Sequence, residues 1–378
     1  MKKILFISHD ASRTGAPLVL LYFLKWLQTN QKEIEADVLV LNGGALEMDF
    51  KKVCHNFYNF SQIVKPTKLK LWQRVFLKLG WFKKPNHKED LFTHLGQNNY
   101  DVVYANSVVS LPIAVQIKNR ILSTKLLLHI HELDTIIQQS VPDFEIYIPS
   151  IDSYIAVSNL VKENLITKYK VSEDLIVLVY EFGVVKEELK NKRNSIFTVG
   201  ASGVAHWRKG SDVFLQVAKC IVQNHSDTKI KFIWVGNFGN DEHIIKADIK
   251  KMGLENIIEF VGEQTNPVTF YTNFDVFLLT SREDPFPLVC IEVAHLGKPI
   301  ICFDKASGTT EIIEKGGGFV VPYLDVSVMA EKIMWYYSNP DKVITDGEKA
   351  KELFSGFTAD KMIPLLYEQI TSILKVND

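Results

Sequence analysis

Short apolar runs alternate with stretches of helical period along nearly the whole chain. The runs at 4–7, 36–41, 102–104, 126–129, 153–156, 195–199, 230–235, 257–260, 276–279, 299–303 and 318–321 are continuous rather than alternating. Strands of that kind, separated by helices, belong to parallel sheets covered on both faces. The polar stretch Lys186-Glu-Glu-Leu-Lys-Asn-Lys-Arg193 interrupts the pattern midway, and a fresh apolar run follows it. The expected organisation is therefore two doubly wound, Rossmann-like α/β domains. The first covers residues 1–188 and the second 189–357, with a C-terminal helix at about 358–378 returning to the first domain. The carboxyl ends of the strands of two such domains face one another across a cleft, and ligands bind at such places.

Composition supports this division. The chain has 378 residues, 47% of them hydrophobic, which is too much for one ordinary domain. A net charge of −1 advertises no nucleic-acid partner. The cysteines stand far apart, at 54, 220, 290 and 302, without metal-ligand spacing. They read as reduced thiols of a cytoplasmic protein. Residues 4–7 are too short a run for a signal or membrane segment, and Asp10 follows at once. Residues 65–88 carry eight cations and no acid, with Trp72, Val75, Phe76 and Leu79 at helical spacing. Such a stretch suits either a helix packed on its own domain or one lying on an anionic membrane surface.

The chemistry concentrates in Ser281-Arg-Glu-Asp-Pro-Phe-Pro-Leu-Val-Cys-Ile-Glu-Val-Ala-His-Leu-Gly-Lys-Pro299. Asp284 is a good N-cap, Pro285 suits a first helical position, and Gly297 stops the helix. Were both Asp284 and Glu292 helical, they would stand about 12 Å apart. Carboxylates that cooperate on one glycosidic bond stand roughly 5–9 Å apart, so a two-acid hydrolase is disfavoured. Glu292 lies inside the apolar run Leu-Val-Cys-Ile-Glu-Val-Ala, where a carboxylate is costly without a task or a partner.

This segment resembles the signature of retaining GT-B glycosyltransferases of family 4, in which Glu-x7-Glu precedes Ala-x-x-x-Gly-x-Pro. Here it reads Asp284-x7-Glu292, then Ala294-His-Leu-Gly297-Lys-Pro299. Other likenesses follow in order along the chain. Thr14-Gly-Ala-Pro17 resembles the glycine loop after the first strand, His131-Glu132 a His-Asp step, and Ala156-Val-Ser158 a strand end. Ala201-Ser-Gly-Val-Ala-His-Trp-Arg-Lys-Gly-Ser-Asp212 resembles a loop ending in Lys-Gly-x-Asp. Trp234-Val-Gly236 and Phe260-Val-Gly262 match two further strand ends, and Ala306-Ser-Gly-Thr-Thr-Glu311 a Gly-Gly-x-x-Glu turn.

The resemblance implies a glycosyltransferase of polysaccharide biosynthesis in a bacterium. It would move a sugar, with retention, from a nucleoside diphosphate to a hydroxyl of a glycan or lipid-linked acceptor. Glu292 would hold the donor ribose, and Lys209 and Arg208 the diphosphate. Gly15, Gly203 and Gly236 would give close backbone approach. Asp284 and the backbone of Pro285, Phe286, Pro287, Leu288 and Val289 would meet the donor sugar. His131, Lys209 and Asp284 would serve the reacting centre, and Asn106 and Ser107 the acceptor. The family's Glu-Gly-Phe-Gly is here Asp-Pro-Phe-Pro, which removes two N–H donors. The family's arginine after the preceding strand is replaced by Gly200-Ala-Ser-Gly203. No Asp-x-Asp occurs, so no cofactor and no metal is expected. Docking on the inner face of the cell membrane would use residues 65–88. Rival readings are a GT-B sugar-nucleotide epimerase and a non-catalytic sugar-nucleotide-binding protein. A nicotinamide dehydrogenase would need a Gly-x-Gly-x-x-Gly opening, where this chain has Thr14-Gly-Ala-Pro17.

Overall fold

The computed structural model describes residues 1–65, 79, 84–183 and 195–375. The expected boundary between 188 and 189 lies outside them, as does most of the basic stretch 65–88. Lys88 itself belongs to the first turn of a separate helix, His87–Gln97, capped by the Asn86 side chain. The chain divides into two compact units. One comprises residues 1–156, 169–177 and 363–378, and the other 157–168 and 178–362.

The first unit is built on a seven-stranded parallel sheet. Its strands are β1 (Lys2–Ser8), β2 (Ile34–Val40), β3 (Phe57–Asn59), β4 (Val102–Asn106), β5 (Lys125–Ile130), β6 (Ser153–Ala156) and β7 (Ile176–Leu178). Their order is β3-β2-β1-β4-β5-β6-β7. The chain winds outward from β1 to β3, returns to β4 on the other side of β1, and winds outward again. Ile4, Phe6, Val103 and Leu127 are wholly buried, as strands covered on both faces require. The last helix, Ala359–Lys375, contributes residues 363–375 to this unit. There Tyr367 donates to Glu33 and stacks near Trp26, and Gln369 donates to Ser153 at 2.6 Å.

The second unit repeats the plan with six strands: β8 (Phe197–Ser202), β9 (Ile230–Val235), β10 (Ile258–Phe260), β11 (Val276–Leu279), β12 (Ile300–Phe303) and β13 (Gly318–Val321). Their order is β10-β9-β8-β11-β12-β13, all parallel. Phe214, Phe232 and Trp234 stack edge to face at one side of the core, with Val276, Leu278, Ile301 and Phe303 along the central strands. The helix Asn159–Thr167 belongs to this unit. The Glu311 carboxylate accepts from the backbone N–H groups of Asn159 and Leu160 at its start, and from Tyr180. A carboxylate there satisfies N–H groups that the helix cannot pair internally.

Both sheets are the doubly wound type expected from the apolar runs. The short edge strands β3 and β7 were absent from the sequence reading, since three residues make no run. Among the described residues, no helix is long and apolar enough to cross a membrane.

One lysine stands against the rule that ammonium groups stay in water. Lys298, between the Gly297 stop and β12, is 6% exposed and donates to the Thr272 carbonyl at 3.0 Å. Burial pulls its pKa down to about 8, against the opposing pull of Asp275. An unfolded lysine titrates near 10.4, so from pH 8 to about 10 the unfolded state binds more protons and stability rises with pH. Denaturant unfolding at pH 7.5 and 9.5 should show wild type gaining on the order of 1–2 kcal/mol relative to Lys298→Met over that interval. Parallel pH profiles for the two proteins would show that the amine keeps an ordinary pKa.

Candidate active site

In an open parallel sheet, the winding direction reverses between two neighbouring strands, and the loops leaving those strands diverge to form a crevice at their carboxyl ends. In the second unit these strands are β8 and β11. They carry Gly203–Gly210 and Thr280–Asp284, the two segments singled out from the sequence.

Hydrogen bonds and ion pairs bind the two loops together. Arg282 N–H donates to the Arg208 carbonyl at 2.8 Å, and the Thr280 hydroxyl to the Lys209 carbonyl at 3.1 Å. Lys209 Nζ lies 2.5 Å from Asp284 Oδ2, and Ser281 Oγ donates to the same oxygen at 3.1 Å. Arg208 reaches the other carboxylate oxygen at 3.5 Å and the Glu283 carbonyl at 3.3 Å. Asp284 is only 5% exposed. Burial alone would raise its carboxyl pKa; Lys209 and Arg208 overcome this and hold it below the ordinary range. Two glycines make room for the contact. Gly210 has φ +69°, and a Cβ there would stand 2.0 Å from the Thr280 carbonyl oxygen. Gly203 has φ +138°, and the Lys209 stem lies against it. Gly236, at φ +145°, approaches the Gly203 carbonyl so closely that a Cβ would lie 2.1 Å from its oxygen.

Asp284 is not the helix cap that the sequence suggested. The helix runs Leu288–His295, and Asp284 pairs in a bridge with Ser307. The cause is the pair of prolines. A residue before proline is pushed out of the helical region, so Asp284 and Phe286 are both biased to extended backbone, and Pro287 itself is extended at φ −69°, ψ 128°. The separation of about 12 Å that assumed a helix through both acids therefore does not apply. The stop at Gly297 is as expected: it takes φ +66°, and Lys298 N–H returns to the Val293 carbonyl. Glu292 lies half-buried on this helix. It helps to raise the pKa of Tyr271, whose main cause is burial, and the Tyr271 hydroxyl lies 2.8 Å from Ser202 Oγ at the end of β8. Pro285, Phe286 and Pro287 are buried, while Leu288 and Val289 are half-buried. The first-turn N–H groups of Leu288 and Val289 have no partner within their own helix.

In the first unit the reversal falls between β1 and β4. Gly15 begins the helix Gly15–Asn30 that follows β1, with Thr14 extended before it. Asn106 ends β4 and is fully buried. Its Nδ2 donates to the Ala16 carbonyl at 3.0 Å, which turns Oδ1 towards His131 Nε2, also at 3.0 Å. His131 follows β5 and is half-buried. Ser107 is fully buried at φ +99° and donates to Glu132 Oε1 at 2.6 Å. Glu132 also accepts from Val108 and His131 backbone N–H groups. Asn106 and Ser107, expected on the acceptor side, thus have their polar groups engaged in ordering the strand ends. His129 is a core residue, 2% exposed, with Nδ1 at 2.7 Å from the Tyr104 hydroxyl.

Several participants were not evident from sequence. Ser281, Tyr271 and Ser202 have no motif. Arg282 makes a two-point bond to Asp212 at 2.9 and 2.7 Å, donates to the Trp207 carbonyl, and faces the Trp207 ring. Asp212 closes the Lys-Gly-x-Asp sequence, so an acid without an evident partner was the available signal.

Residues 184–353 match the family model described as Glycosyl transferases group 1. The Staphylococcus aureus capsular polysaccharide biosynthesis glycosyltransferase CapM is 25% identical over 188 residues, 49% of each chain. A Haemophilus influenzae protein described as an uncharacterized glycosyltransferase is 26% identical over 157 residues, 41% of this chain and 43% of its own. The chain spans about half the length, or less, of these curated relatives. Among solved structures, Anabaena HepE in complex with UDP and glucose superposes with a TM-score of 0.77 at 20% identity, over 98% of this chain and 100% of that one. The fold is GT-B, and residues 184–353 of the chain are similar to the glycosyl transferases group 1.

Proposed function

We propose that the protein is a retaining glycosyltransferase of family 4, moving a sugar from a nucleoside diphosphate to a hydroxyl of a glycan or lipid-linked acceptor. The observation that carries this reading is the position of Lys209 on the loop that leaves β8 and of Glu292 on the helix Leu288–His295 that follows β11, the two strands between which the winding of the sheet reverses. A cation and a carboxylate carried by the segments that follow those two strands suit a ligand with a diphosphate in its middle and a ribose at one end. HepE, which shares the fold, is described with UDP and glucose bound, and CapM is described as a capsular polysaccharide enzyme. Both support a UDP-sugar donor and a glycan acceptor.

Glu292 accepts the two ribose hydroxyls. Lys209 and Arg208 offset the charge that grows on the diphosphate as the glycosidic bond breaks. Asp284, whose oxygens accept from Lys209, Arg208 and Ser281, holds the two cations in place beside the donor sugar. The half-buried N–H groups of Leu288 and Val289 remain for the sugar. His131, oriented by Asn106, serves the reacting centre. The leaving phosphate takes the acceptor proton on the same face of the sugar, so the protein supplies orientation and charge rather than a nucleophile.

Glu292→Gln should lower transfer from a UDP-sugar by at least about tenfold while the melting temperature stays near wild type, since it removes a charge-assisted contact of roughly 1.5–3 kcal/mol. Lys209→Ala should do the same and should also lower the melting temperature, because Asp284 loses its shortest contact. Turnover within about twofold of wild type in folded Glu292→Gln would take that residue out of the donor site.

With Lys209 and Arg208 as the diphosphate cations, transfer should persist in excess EDTA. Complete loss, restored by Mg²⁺ or Mn²⁺, would overturn the metal-independent reading.

Residues 65–88, with eight cations and no acid, are proposed to hold the protein on an anionic membrane surface, at about 1 kcal/mol for each cation near it. The protein should sediment with phosphatidylglycerol vesicles at low salt, and less so after Lys68, Arg74 and Lys78 are changed to Glu. Protein left in the supernatant at low salt would favour a soluble acceptor.

A further inference from the structure

His206 lies in the loop after β8, two residues before Arg208, and caps the short turn Trp207–Lys209 that brings the two cations to Asp284. Its ring is not a passive filler of that loop. The Arg208 backbone N–H donates to His206 Nδ1 at 3.2 Å, so Nδ1 carries a lone pair and the ring proton sits on Nε2. Among the described residues, nothing accepts from Nε2. The ring is half-buried. A donor is thus fixed in one tautomer, left unpaired, and placed beside two cations on the loop that the donor diphosphate would reach.

We propose that His206 is a third ligand of the donor diphosphate, which donates through Nε2 and takes up a proton as the diphosphate binds. This rests on the donor reading given above. The charge arithmetic around the ring supports it. In the unliganded protein the groups acting on the imidazole are Arg208, Lys209, Asp284 and Asp241. Burial, followed by Arg208 and Lys209, keeps the ring neutral by lowering its pKa, and Asp284 and Asp241 only partly offset them. A diphosphate seated on Arg208 and Lys209 brings two or more negative charges to the same place. It cancels the repulsion those cations exert and adds an attraction for the imidazolium. The proton comes from solvent and remains on His206 while the diphosphate is bound, so no covalent step is involved. The third positive charge would stabilise the diphosphate as leaving group, in a chain that has Gly200-Ala-Ser-Gly203 where the resembled family has an arginine.

Calorimetry with UDP on the full chain tests this. Titrations in buffers of different ionisation enthalpy give the number of protons exchanged, and comparison with His206→Asn cancels the protons belonging to UDP itself. Asparagine keeps an acceptor for the Arg208 N–H, so the loop geometry is retained. Wild type should take up a fraction of a proton more than His206→Asn at pH 7, and should bind UDP about fivefold more tightly. Its advantage should shrink as pH rises from 6 to 8, because protonation is lost. Equal proton uptake and equal affinity in the two proteins would overturn the role of His206 and leave the donor site standing. If wild type binds none of UDP, GDP and ADP, the donor reading falls and this proposal with it. A melting temperature for His206→Asn within about 2 °C of wild type confirms that the comparison is between folded proteins.

Discussion

A carboxylate almost wholly withdrawn from water organises the second unit. Asp284 would be intolerable there alone, and removing one partner of such a buried pair typically costs about 3–5 kcal/mol. Lys209 and Arg208 on one loop, with Ser281 on its own, meet that demand. The consequence reaches beyond the charges. Since the cations leave β8 and the acid leaves β11, satisfying the carboxylate also sets the spacing of the two loops. The glycines at 203, 210 and 236 follow from the same requirement, because each stands where a Cβ would press on the contact. Two prolines then keep Asp284 out of the helix that begins at Leu288, so its oxygens point back to the lysine.

The first unit solves a similar problem without buried cations. There an amide, Asn106, and a hydroxyl, Ser107, tie the end of β4 to the start of the Gly15–Asn30 helix and to the residues after β5. The carboxylate there, Glu132, is met by a hydroxyl and backbone N–H groups rather than by cations. Both units thus place polar order where the winding of the sheet reverses. The two differ in the sign and strength of what they present: a fixed imidazole in one, a pair of cations in the other.

The sheets were legible in the sequence because parallel strands covered on both faces must be apolar throughout. Val276–Leu279 and Ile300–Phe303 are examples. Phe57–Asn59 and Ile176–Leu178 were not legible, since edge strands of three residues are specified by their neighbours rather than by a run of their own. Lys209, Asp284 and Glu292 could be picked out by motif, yet what Asp284 does could not. That depends on the Pro285 and Pro287 backbone and on partners some 75 residues away. In the sequence His206-Trp207 reads as either shaping the pocket beside Lys209 or packing it; the tautomer of His206 is set by a backbone N–H that only folding brings to it. Arg282 escaped notice because its acid, Asp212, is 70 residues distant.

The segments that make up each unit have a bearing on synthesis. A ribosome delivers the chain from the amino end, and domains generally fold as they emerge. Here the sheet of the first unit is largely present once β7 has appeared, but Ser153 and Glu33 still await Gln369 and Tyr367. Those residues are made only after all six strands of the second unit. The early unit must therefore persist through most of translation with a face uncovered, while the helix Asn159–Thr167 waits for Glu311 to arrive at its start. A nascent chain in that state has exposed apolar surface for tens of seconds at ordinary elongation rates of about 5–20 residues per second, long enough to make it a client for chaperones.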